Sequence, residues 1–408
     1  MAEVMRRRVH RRDRDWAHVS VELIFGPLDM PSTDALRQAV TMLTDKHPHC
    51  RLAWRMDADR RCWRNDRSSE SIVVEREWPQ GQDVSAQLRV IADDPDLEAP
   101  LTLIRYPNHV GLKISHGLGD ANIFLAAFCG PICSAMLGTA LDWPIEPAPR
   151  LPLLRAVLGT FGAKPAALKA AFADRPTPIA DVDTGALRPW QPSQCTTGRH
   201  LSPEDIAEIY RWRDQFAPGT STYALQVALV LRGLRRVGLE VCSEVRMVSD
   251  LRRYLGWHSI DGNFTAGVPM RIEAGMEAAE ISARIRATNA SGRPLAGYTL
   301  GALNRSRSVP TATSARDGAL PRIAFSSLGM LPIVEGLPML PGQQREFTGS
   351  VSLDGPHGIS VLTAQTSQSM HITATFHDNV IDPALMDAAL DIIASDPVGL
   401  LSGAACEV

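Results

Sequence analysis

Apolar and polar side chains alternate along several short stretches of the chain. In 19–25, valine, valine, leucine and phenylalanine take every second position, and Gly26-Pro27 follows. A period of two is typical of a β-strand, and the Gly-Pro pair predicts where this strand ends. Further strands are predicted near 51–54, 72–75, 110–114, 245–250, 265–272, 322–327 and 372–376.

Other stretches repeat their apolar residues at the spacing of an α-helix. Leu36, Val40 and Leu43 fall on one helical face. Ser32-Thr33 can cap this helix, and His47-Pro48 predicts its end because proline disfavours helical backbone in the residue before it. Further helices are predicted over 203–212, over 276–290 and after Asp382-Pro383.

Length and composition predict how the chain is divided. With 408 residues, and about 150 residues per domain, two or three domains are expected. The segment 175–200 is rich in proline and threonine and has no apolar period, which predicts a linker or crossover segment. We therefore predict an N-terminal subdomain at 1–174 and a C-terminal subdomain at 201–408, each mixing helices with strands, so that the fold class is α/β.

Three further segments have an unusual composition. The basic stretch 1–15 has no apolar segment behind it, which excludes a secretory signal and predicts a solvated tail. The stretch 306–317, rich in serine, threonine and arginine, predicts a mobile surface loop, with a lid over a substrate entrance as the alternative. No charge lies between Asp120 and Asp142, a length that can span a bilayer. Its asparagine, glycine and proline favour a buried helix followed by a turn, so no transmembrane segment is predicted.

Charge and cysteine usage exclude several classes of protein. The formal net charge is −3, with 42 basic and 45 acidic residues, which argues against a dedicated nucleic-acid binder and leaves only a local basic patch open. The seven cysteines form no CxxC pair, so we expect a reduced, cytoplasmic location and no metal site. Cys129 and Cys133 lie one helical turn apart, which favours core packing over a metal pair.

Candidate chemistry is concentrated in one short motif. The chain has no GxSxG, GxxxxGK[ST] or HExxH motif and no GxGxxG after a strand. What remains is His116-Gly117-Leu118-Gly119-Asp120, directly after the predicted strand 110–114. A neutral histidine presented by a glycine turn is suited to accept a proton near neutral pH. The alternative from spacing alone is a histidine satisfied by the backbone and an aspartate that only caps the next helix.

This motif and three other segments resemble one superfamily. SHGLGDA resembles the [HS]HxxxD[GA] signature of the chloramphenicol acetyltransferase-like superfamily, which includes BAHD acyltransferases, polyketide-associated acyltransferases, wax ester synthases and condensation domains. The segments 25–54, 249–267 and 324–332 resemble other parts of its pattern in the same order. The resemblance implies two similar α/β subdomains that form a V, with the active site in the cleft between them.

The resemblance also implies roles for individual residues. It makes His116 the general base and Asp120 the residue that pairs with Arg252, in Asp250-Leu251-Arg252, to hold the histidine loop. Condensation domains have a first histidine at the position of Ser115. The departure from histidine at this position is shared with many BAHD enzymes. The residues expected to contact substrate are Ser115, Gly119, Asn263, Ser326, Ser327 and Gly329. For the last four of these, turn-forming or backbone roles are the alternative.

The implied activity is acyl transfer from a CoA or carrier-protein thioester to a hydroxyl, or less readily an amine, without a covalent acyl-enzyme. No cofactor is expected, because the acyl-CoA or phosphopantetheine-linked donor is itself a substrate. The implied partners are a small-molecule acceptor and acyl-CoA or an acyl carrier protein, in bacterial secondary metabolism or lipid assembly. Two alternatives remain open: a condensation-type domain that joins carrier-bound partners, and an inactive binding module of the same fold.

Overall fold

A computed structural model describes residues 5–57, 59–97, 100–162, 164–173, 185–256, 260–303 and 312–403. The described strands are β1 (Arg6–Arg8), β2 (Ser20–Gly26), β3 (Trp54–Met56), β4 (Cys62–Asn65), β5 (Val73–Glu75), β6 (Leu101–Arg105), β7 (Val110–Ser115), β8 (Leu187–Pro189), β9 (Gln194–Leu201), β10 (Glu244–Asp250), β11 (Thr265–Arg271), β12 (Ser314–Arg316), β13 (Arg322–Met330), β14 (Glu346–Val351), β15 (Gly358–Gln365) and β16 (Met370–His377). The described helices are α1 (Arg11–Asp15), α2 (Thr33–Lys46), α3 (Ser69–Ile72), α4 (Val84–Asp93), α5 (Ala121–Leu137), α6 (Pro152–Phe161), α7 (Pro165–Ala173), α8 (Pro203–Phe216), α9 (Thr222–Arg236), α10 (Ala278–Ala290), α11 (Arg293–Leu303), α12 (Pro383–Ser395) and α13 (Pro397–Ser402).

The chain forms two compact units, and neither is contiguous in sequence. The first consists of the described residues within Met1–Pro152, Leu255–Thr265 and Leu331–Ser352, and the remainder forms the second. The segment from Leu331 belongs to the first unit because β14 pairs with β2 over six residues. The change of composition at 175–200 does not indicate that Leu255–Thr265 and Leu331–Ser352 belong to the first unit.

The first unit is built on a five-stranded sheet in the order β14-β2-β7-β6-β5. β2 is antiparallel to both β14 and β7, and β5 is parallel to β6. α2 buries the predicted face, which includes Leu36, Val40 and Leu43, and Ser32 caps it as predicted. This helix packs against α5.

The uncharged stretch after Asp120 forms α5, which begins at Ala121 and ends at Gly138 in a left-handed cap. Its buried side chains include Ile123, Phe124 and Phe128, so the prediction of a buried helix is confirmed. Among the residues that the structure describes, no helix is long and apolar enough to cross a membrane.

The basic N-terminal stretch is ordered against the first unit, so the prediction of a solvated tail is wrong for residues 5–15. β1 pairs with β4 in a three-stranded sheet with β3. Val9 is buried, and Asp13 of α1 has a fully buried side chain. The pairing of β1 with β4 and the buried ion pair of Asp13 with Arg51 hold this arginine-rich segment on the first unit.

The second unit is built on a six-stranded sheet in the order β11-β10-β13-β15-β16-β9. β13 is parallel to β10 and β15, whereas β16 is antiparallel to β15 and β9. α9 is buried along most of its length, and α8 begins with the predicted Ser202 cap, completed as a capping box by Asp205.

Two predictions about loops need correction. The end of the predicted linker 175–200 is strand, because β9 pairs with β16 over eight residues and β8 pairs with β12. β12 lies in the predicted mobile loop 306–317, so its end is strand as well. Residues 174–184 and 304–311 lie outside the described residues, and the predictions for them remain untested.

Candidate functional site

The His116 motif forms a tight turn where the central strand β7 ends. Residues His116–Leu118 make one 3-10 turn after Ser115. The Ser115 hydroxyl accepts from the Gly117 N–H at 3.2 Å and donates to the Ala17 carbonyl at 3.0 Å. The His116 N–H donates to the Val19 carbonyl at 2.8 Å. Ser115 therefore ties the turn to the segment that precedes β2.

Both glycines of the motif are required by close approaches. A Cβ on Gly117 would lie 2.8 Å from Ala17 Cα and 2.9 Å from the Asp13 carbonyl oxygen, so α1 packs directly on the turn. Gly119 has a φ of +154°, and a Cβ there would lie 2.3 Å from Ile123 Cδ1. Gly119 thus has a backbone role in this turn, and its predicted substrate contact stays a prediction.

Asp120 does more than begin α5. Its side chain is buried and makes no capping bond to the helix. Asp120 Oδ2 instead accepts a hydrogen bond from the Phe264 N–H at 2.9 Å. A charge-assisted bond of this kind is stronger than a neutral one, so Asp120 fixes the start of α5 to the segment around Asn263.

Asn263 is the polar side chain in contact with the His116 ring. Its Nδ2 lies 2.9 Å from His116 Nδ1 and donates to the His116 carbonyl at 3.2 Å. Its Oδ1 accepts from the Thr265 hydroxyl at 3.1 Å, and the side chain is 0% exposed. Nε2 can accept a proton only in the tautomer that carries the ring proton on Nδ1, in which the carboxamide presents its oxygen to Nδ1. A carboxamide can serve either tautomer by presenting its nitrogen or its oxygen.

The surroundings of the His116 ring are largely apolar. The Trp16 ring lies 4.7 Å from it at 34°, and the Phe124 ring lies 5.1 Å away, edge to face. Burial lowers the pKa of His116 below its ordinary value, and the charge of Asp120 with the carbonyls of His116 and Gly119 opposes this only in part. The imidazole is therefore neutral at pH 7, the form in which it can accept a proton.

A buried charge cluster supports the same turn. Arg51 Nη1 donates to the Leu118 carbonyl at 2.7 Å and to Asp13 Oδ2 at 3.2 Å. Arg51 Nη2 lies 3.1 Å from Asp261 Oδ2, and Arg7 reaches the same oxygen at 2.9 Å. Asp13 also accepts from the Asn263 N–H at 3.4 Å.

The protonation states in this cluster follow from its ion pairs. Burial acts to lower the pKa of Arg51, but the charges of Asp13 and Asp261 raise it above its ordinary value. Burial acts to raise the pKa of Asp261, but the charges of Arg51 and Arg7 hold it at about 2. Arg51 and Asp261 are therefore ionised at neutral pH. The cluster joins α1, the segment after α2, the His116 turn and the 260–263 segment.

Sequence reasoning missed the N-terminal contribution to this site. Asp13, Trp16 and Ala17 all contact the turn or its neighbours, yet the arginines around them suggested a tail. The available signal was their spacing of three and four residues, which puts them on one helical face. Arg51 and Asp261 were missed because only the folded chain brings 51 and 261 together.

The remaining predicted residues lie in the second unit. Arg252 is 1% exposed, and its N–H and Nη1 contact Asp250 Oδ1 at 2.9 and 3.3 Å. The predicted pairing of Arg252 with Asp120 stays a prediction.

The predicted substrate contacts of the second unit lie on β13. Ser326 is partly buried. The Ser327 hydroxyl donates to Gln226 Oε1 at 3.1 Å and accepts from the Gly329 N–H at 3.2 Å, so these bonds already satisfy it. Gly329 has a φ of +65°, in the left-handed region. A substrate role for any of the three stays a prediction.

Of the two cysteines of α5, Cys129 is a buried core residue and Cys133 is partly buried. Burial raises the pKa values of both Cys129 and Cys133, so neither thiol ionises near neutral pH. Within the described ranges, no group of three or more histidine, cysteine, aspartate or glutamate side chains is placed to hold a metal ion.

Comparison with solved structures identifies the fold. The condensation domain from the Monacolin K polyketide synthase has a TM-score of 0.62 at 12% identity, covering 98% of this chain and 97% of that one. The trichothecene 15-O-acetyltransferase from Fusarium sporotrichioides has a TM-score of 0.59 at 12% identity, covering 97% and 95%. Polyketide synthase associated protein 5 from Mycobacterium tuberculosis has a TM-score of 0.56 at 15% identity, covering 96% and 98%.

No protein-family model and no curated protein sequence matches the chain. The structural matches nevertheless extend over nearly the whole chain, and they include condensation domains, an epimerization domain, an acetyltransferase and a polyketide synthase associated protein. The resemblance predicted from the sequence is therefore confirmed for the fold.

Proposed function

We propose that this protein is an acyltransferase that moves an acyl group from a CoA or carrier-protein thioester to a hydroxyl, or less readily to an amine. The observation that carries the proposal is the His116 imidazole. It stands at the end of a central strand, it is neutral, and Asn263 occupies one of its two nitrogens. The fold shared with an acetyltransferase and with condensation domains supports the same class of reaction.

In the proposed reaction His116 removes the proton of the acceptor hydroxyl as the oxygen attacks the thioester carbonyl. A tetrahedral intermediate forms, with the negative charge on the former carbonyl oxygen. When the carbon–sulfur bond breaks, the imidazolium returns the proton to the leaving thiolate. An ester and a free thiol are the products, and no covalent acyl-enzyme is needed.

The surrounding residues act on His116 rather than on substrate. Asn263 holds Nδ1: with its carboxamide oxygen toward the ring it accepts from the Nδ1 proton, which leaves Nε2 unprotonated as the base and supports the imidazolium after proton transfer. The carboxylate of Asp120, anchored by the Phe264 N–H, stabilises the imidazolium electrostatically. Arg51 holds the Leu118 carbonyl and so keeps the turn in one conformation.

General-base catalysis supplies about 10²- to 10⁴-fold in rate, so His116 cannot account for a whole enzymatic rate enhancement. One hydrogen-bond donor to the developing oxyanion adds about 10²- to 10³-fold. Positioning the acceptor next to the thioester must supply much of the rest. We propose Ser326 as a candidate substrate contact, because its neighbour Ser327 is already bonded to Gln226.

The proposal is tested by a product screen. Purified protein is incubated with acyl-CoA donors from acetyl to palmitoyl and with panels of alcohols and amines. Free thiol is measured continuously, and acylated products are identified by mass spectrometry. We expect acceptor-dependent thiol release with a matching ester or amide. Thiol release without an acylated product would indicate hydrolysis and contradict the proposal.

Condensation between carrier-bound partners is the second candidate, favoured by the fold match at a TM-score of 0.62 to a condensation domain. It is separated from the first by the donor. Intact-mass analysis of an acyl-loaded carrier protein, run in parallel with free acyl-CoA, shows which donor loses its acyl group. Transfer from free acyl-CoA to a free acceptor favours the first candidate, and transfer only between carriers favours the second.

A further inference from the structure

The N-terminal segment is part of the His116 site rather than an appendage. α1 packs on the turn so closely that Gly117 has no room for a Cβ. The Ala17 and Val19 carbonyls accept hydrogen bonds from the Ser115 hydroxyl and the His116 N–H. Trp16 lies between α1 and these two carbonyls in sequence, so its backbone is fixed relative to the imidazole.

The His116 ring has an aromatic neighbour on each of two elements. The Trp16 ring packs against it, with centroids 4.7 Å apart and planes tilted by 34°. The Phe124 ring meets it edge to face at 5.1 Å and 82°. Two planar groups in these orientations restrict rotation about the Cβ–Cγ bond of the histidine. The Trp16 π face also carries the partial negative charge that attracts a cation.

We propose that Trp16 is a positioning residue for His116: its indole holds the plane of the imidazole, and its π face stabilises the imidazolium formed when His116 takes the proton of the acceptor. This inference rests on the proposed role of His116 as a general base. Trp16 needs no contact with the substrate, because it acts through the imidazole.

The charged groups on the elements around the His116 ring either have ion-pair or ring partners of their own or act on the pKa of His116. From α1, Asp13 pairs with Arg51, and the Arg12 guanidinium lies 4.1 Å above the Phe264 ring. From the 260–263 segment, Asp261 pairs with Arg51 and Arg7. Asp120, at the start of α5, is the charged group that raises the pKa of His116. The indole therefore adds to Asp120 in favouring the imidazolium, and burial opposes both.

Activity measurements with two variants test the kinetic part. A cation–π contact corresponds to about 2- to 30-fold in an equilibrium or rate. Trp16→Leu should lower kcat by about that factor with little change in KM, and should move the acidic limb of the pH–rate profile to lower pH. Trp16→Phe keeps an aromatic face and should retain most of the activity. Trp212→Phe, in the second unit, is the matched control and should change neither.

A fluorescence titration tests the stacking without any substrate. A protonated imidazole quenches a stacked indole, so the difference in emission between wild type and Trp16→Phe should show a step with pH. The step should vanish in His116→Ala. The difference between wild type and Trp212→Phe should show no step that depends on His116. Circular dichroism at each pH confirms that the variants are folded.

The outcomes separate this inference from the proposed function. A fluorescence step that is absent, or that persists in His116→Ala, overturns the stacking. A normal step with unchanged kcat and pH profile in Trp16→Leu overturns the positioning role. If His116→Ala retains full transfer activity, His116 is not the general base and the positioning role of Trp16 fails with it, although the stacking is observed and the acyl transfer itself stands.

Discussion

Substitution of Arg51 by methionine tests whether the buried charge cluster holds the His116 turn. Arg51 is 5% exposed and is shared by two buried carboxylates, Asp13 and Asp261. Methionine fills similar space but leaves both carboxylates without their central cation. Breaking a buried ion pair by removing one partner costs about 3–5 kcal/mol, so we expect the first unit to lose about that much unfolding free energy at pH 7.

The pKa of Asp261 gives an independent figure for the same cluster. A fall from the ordinary 3.8 to about 2 corresponds to about 2 kcal/mol of stability. Because the folded pKa is depressed, this contribution is fully present above pH 3.8 and is lost as the pH falls toward 2. In Arg51→Met, the carboxylates of Asp13 and Asp261 lose the cation that offsets the cost of their burial. Part of this stability should therefore be lost even at neutral pH.

Hydrogen-exchange mass spectrometry on peptides from β7 and α5 reports the first unit by itself, and urea denaturation gives the total. Arg55→Met is the matched control, because the Arg55–Asp66 pair is much more exposed and such pairs contribute at most about 1 kcal/mol. The triple variant Arg51→Met, Asp13→Asn, Asp261→Asn removes the unpaired charges and should recover part of the loss. If Arg51→Met costs no more than Arg55→Met, the reasoning is refuted.

Two further predictions concern the turn and its ring. Gly117→Ala places a methyl group 2.8 Å from Ala17 Cα, so it should displace α1 and lower kcat at least tenfold. The control is Gly159→Ala, because a Cβ at Gly159 meets nothing within 4 Å. Equal activity of the two variants would contradict the packing argument. Asn263→Asp puts a carboxylate next to Nδ1 of His116 and should raise the pKa of that imidazole. The acidic limb of the pH–rate profile should therefore move to higher pH. A shift to lower pH would show that Asn263 does not contact the ring as described.

Elements with a strong local pattern could be predicted from the sequence. β2 was predicted by its period of two, and α8 by its serine cap, proline and acidic first turn, because these signals depend on residues a few positions apart. β14 was not predicted, since its place depends on pairing with β2, more than 300 residues away in the chain. The same long-range pairing makes the first unit discontinuous.

The site was predictable in part for the same reason. His116 and Asp120 belong to one short motif, whose spacing can be read directly from the sequence. The contact of Asn263 with the His116 ring, by contrast, joins positions 147 residues apart. The resemblance predicts Asn263 at the substrate; the structure places its side chain on the imidazole, and a substrate contact stays a prediction.

Trp16 was missed for a different reason. The arginines around it raise the local charge and hide the helical spacing of Asp13, Trp16 and Ala17. A stretch whose charges find partners elsewhere in the folded chain can be buried, but composition counts only how many charges there are. The partner of Asp13, which is Arg51, is visible only in the folded chain.

The most direct test of the central claim is the transfer rate of His116→Ala, measured with the donor and acceptor identified in the product screen. The matched control is His18→Ala, which removes an exposed histidine from the same N-terminal region. We predict that kcat/KM falls by about 10²- to 10⁴-fold in His116→Ala and stays at the wild-type value in His18→Ala. Acyl transfer by folded His116→Ala at the wild-type rate would contradict the account.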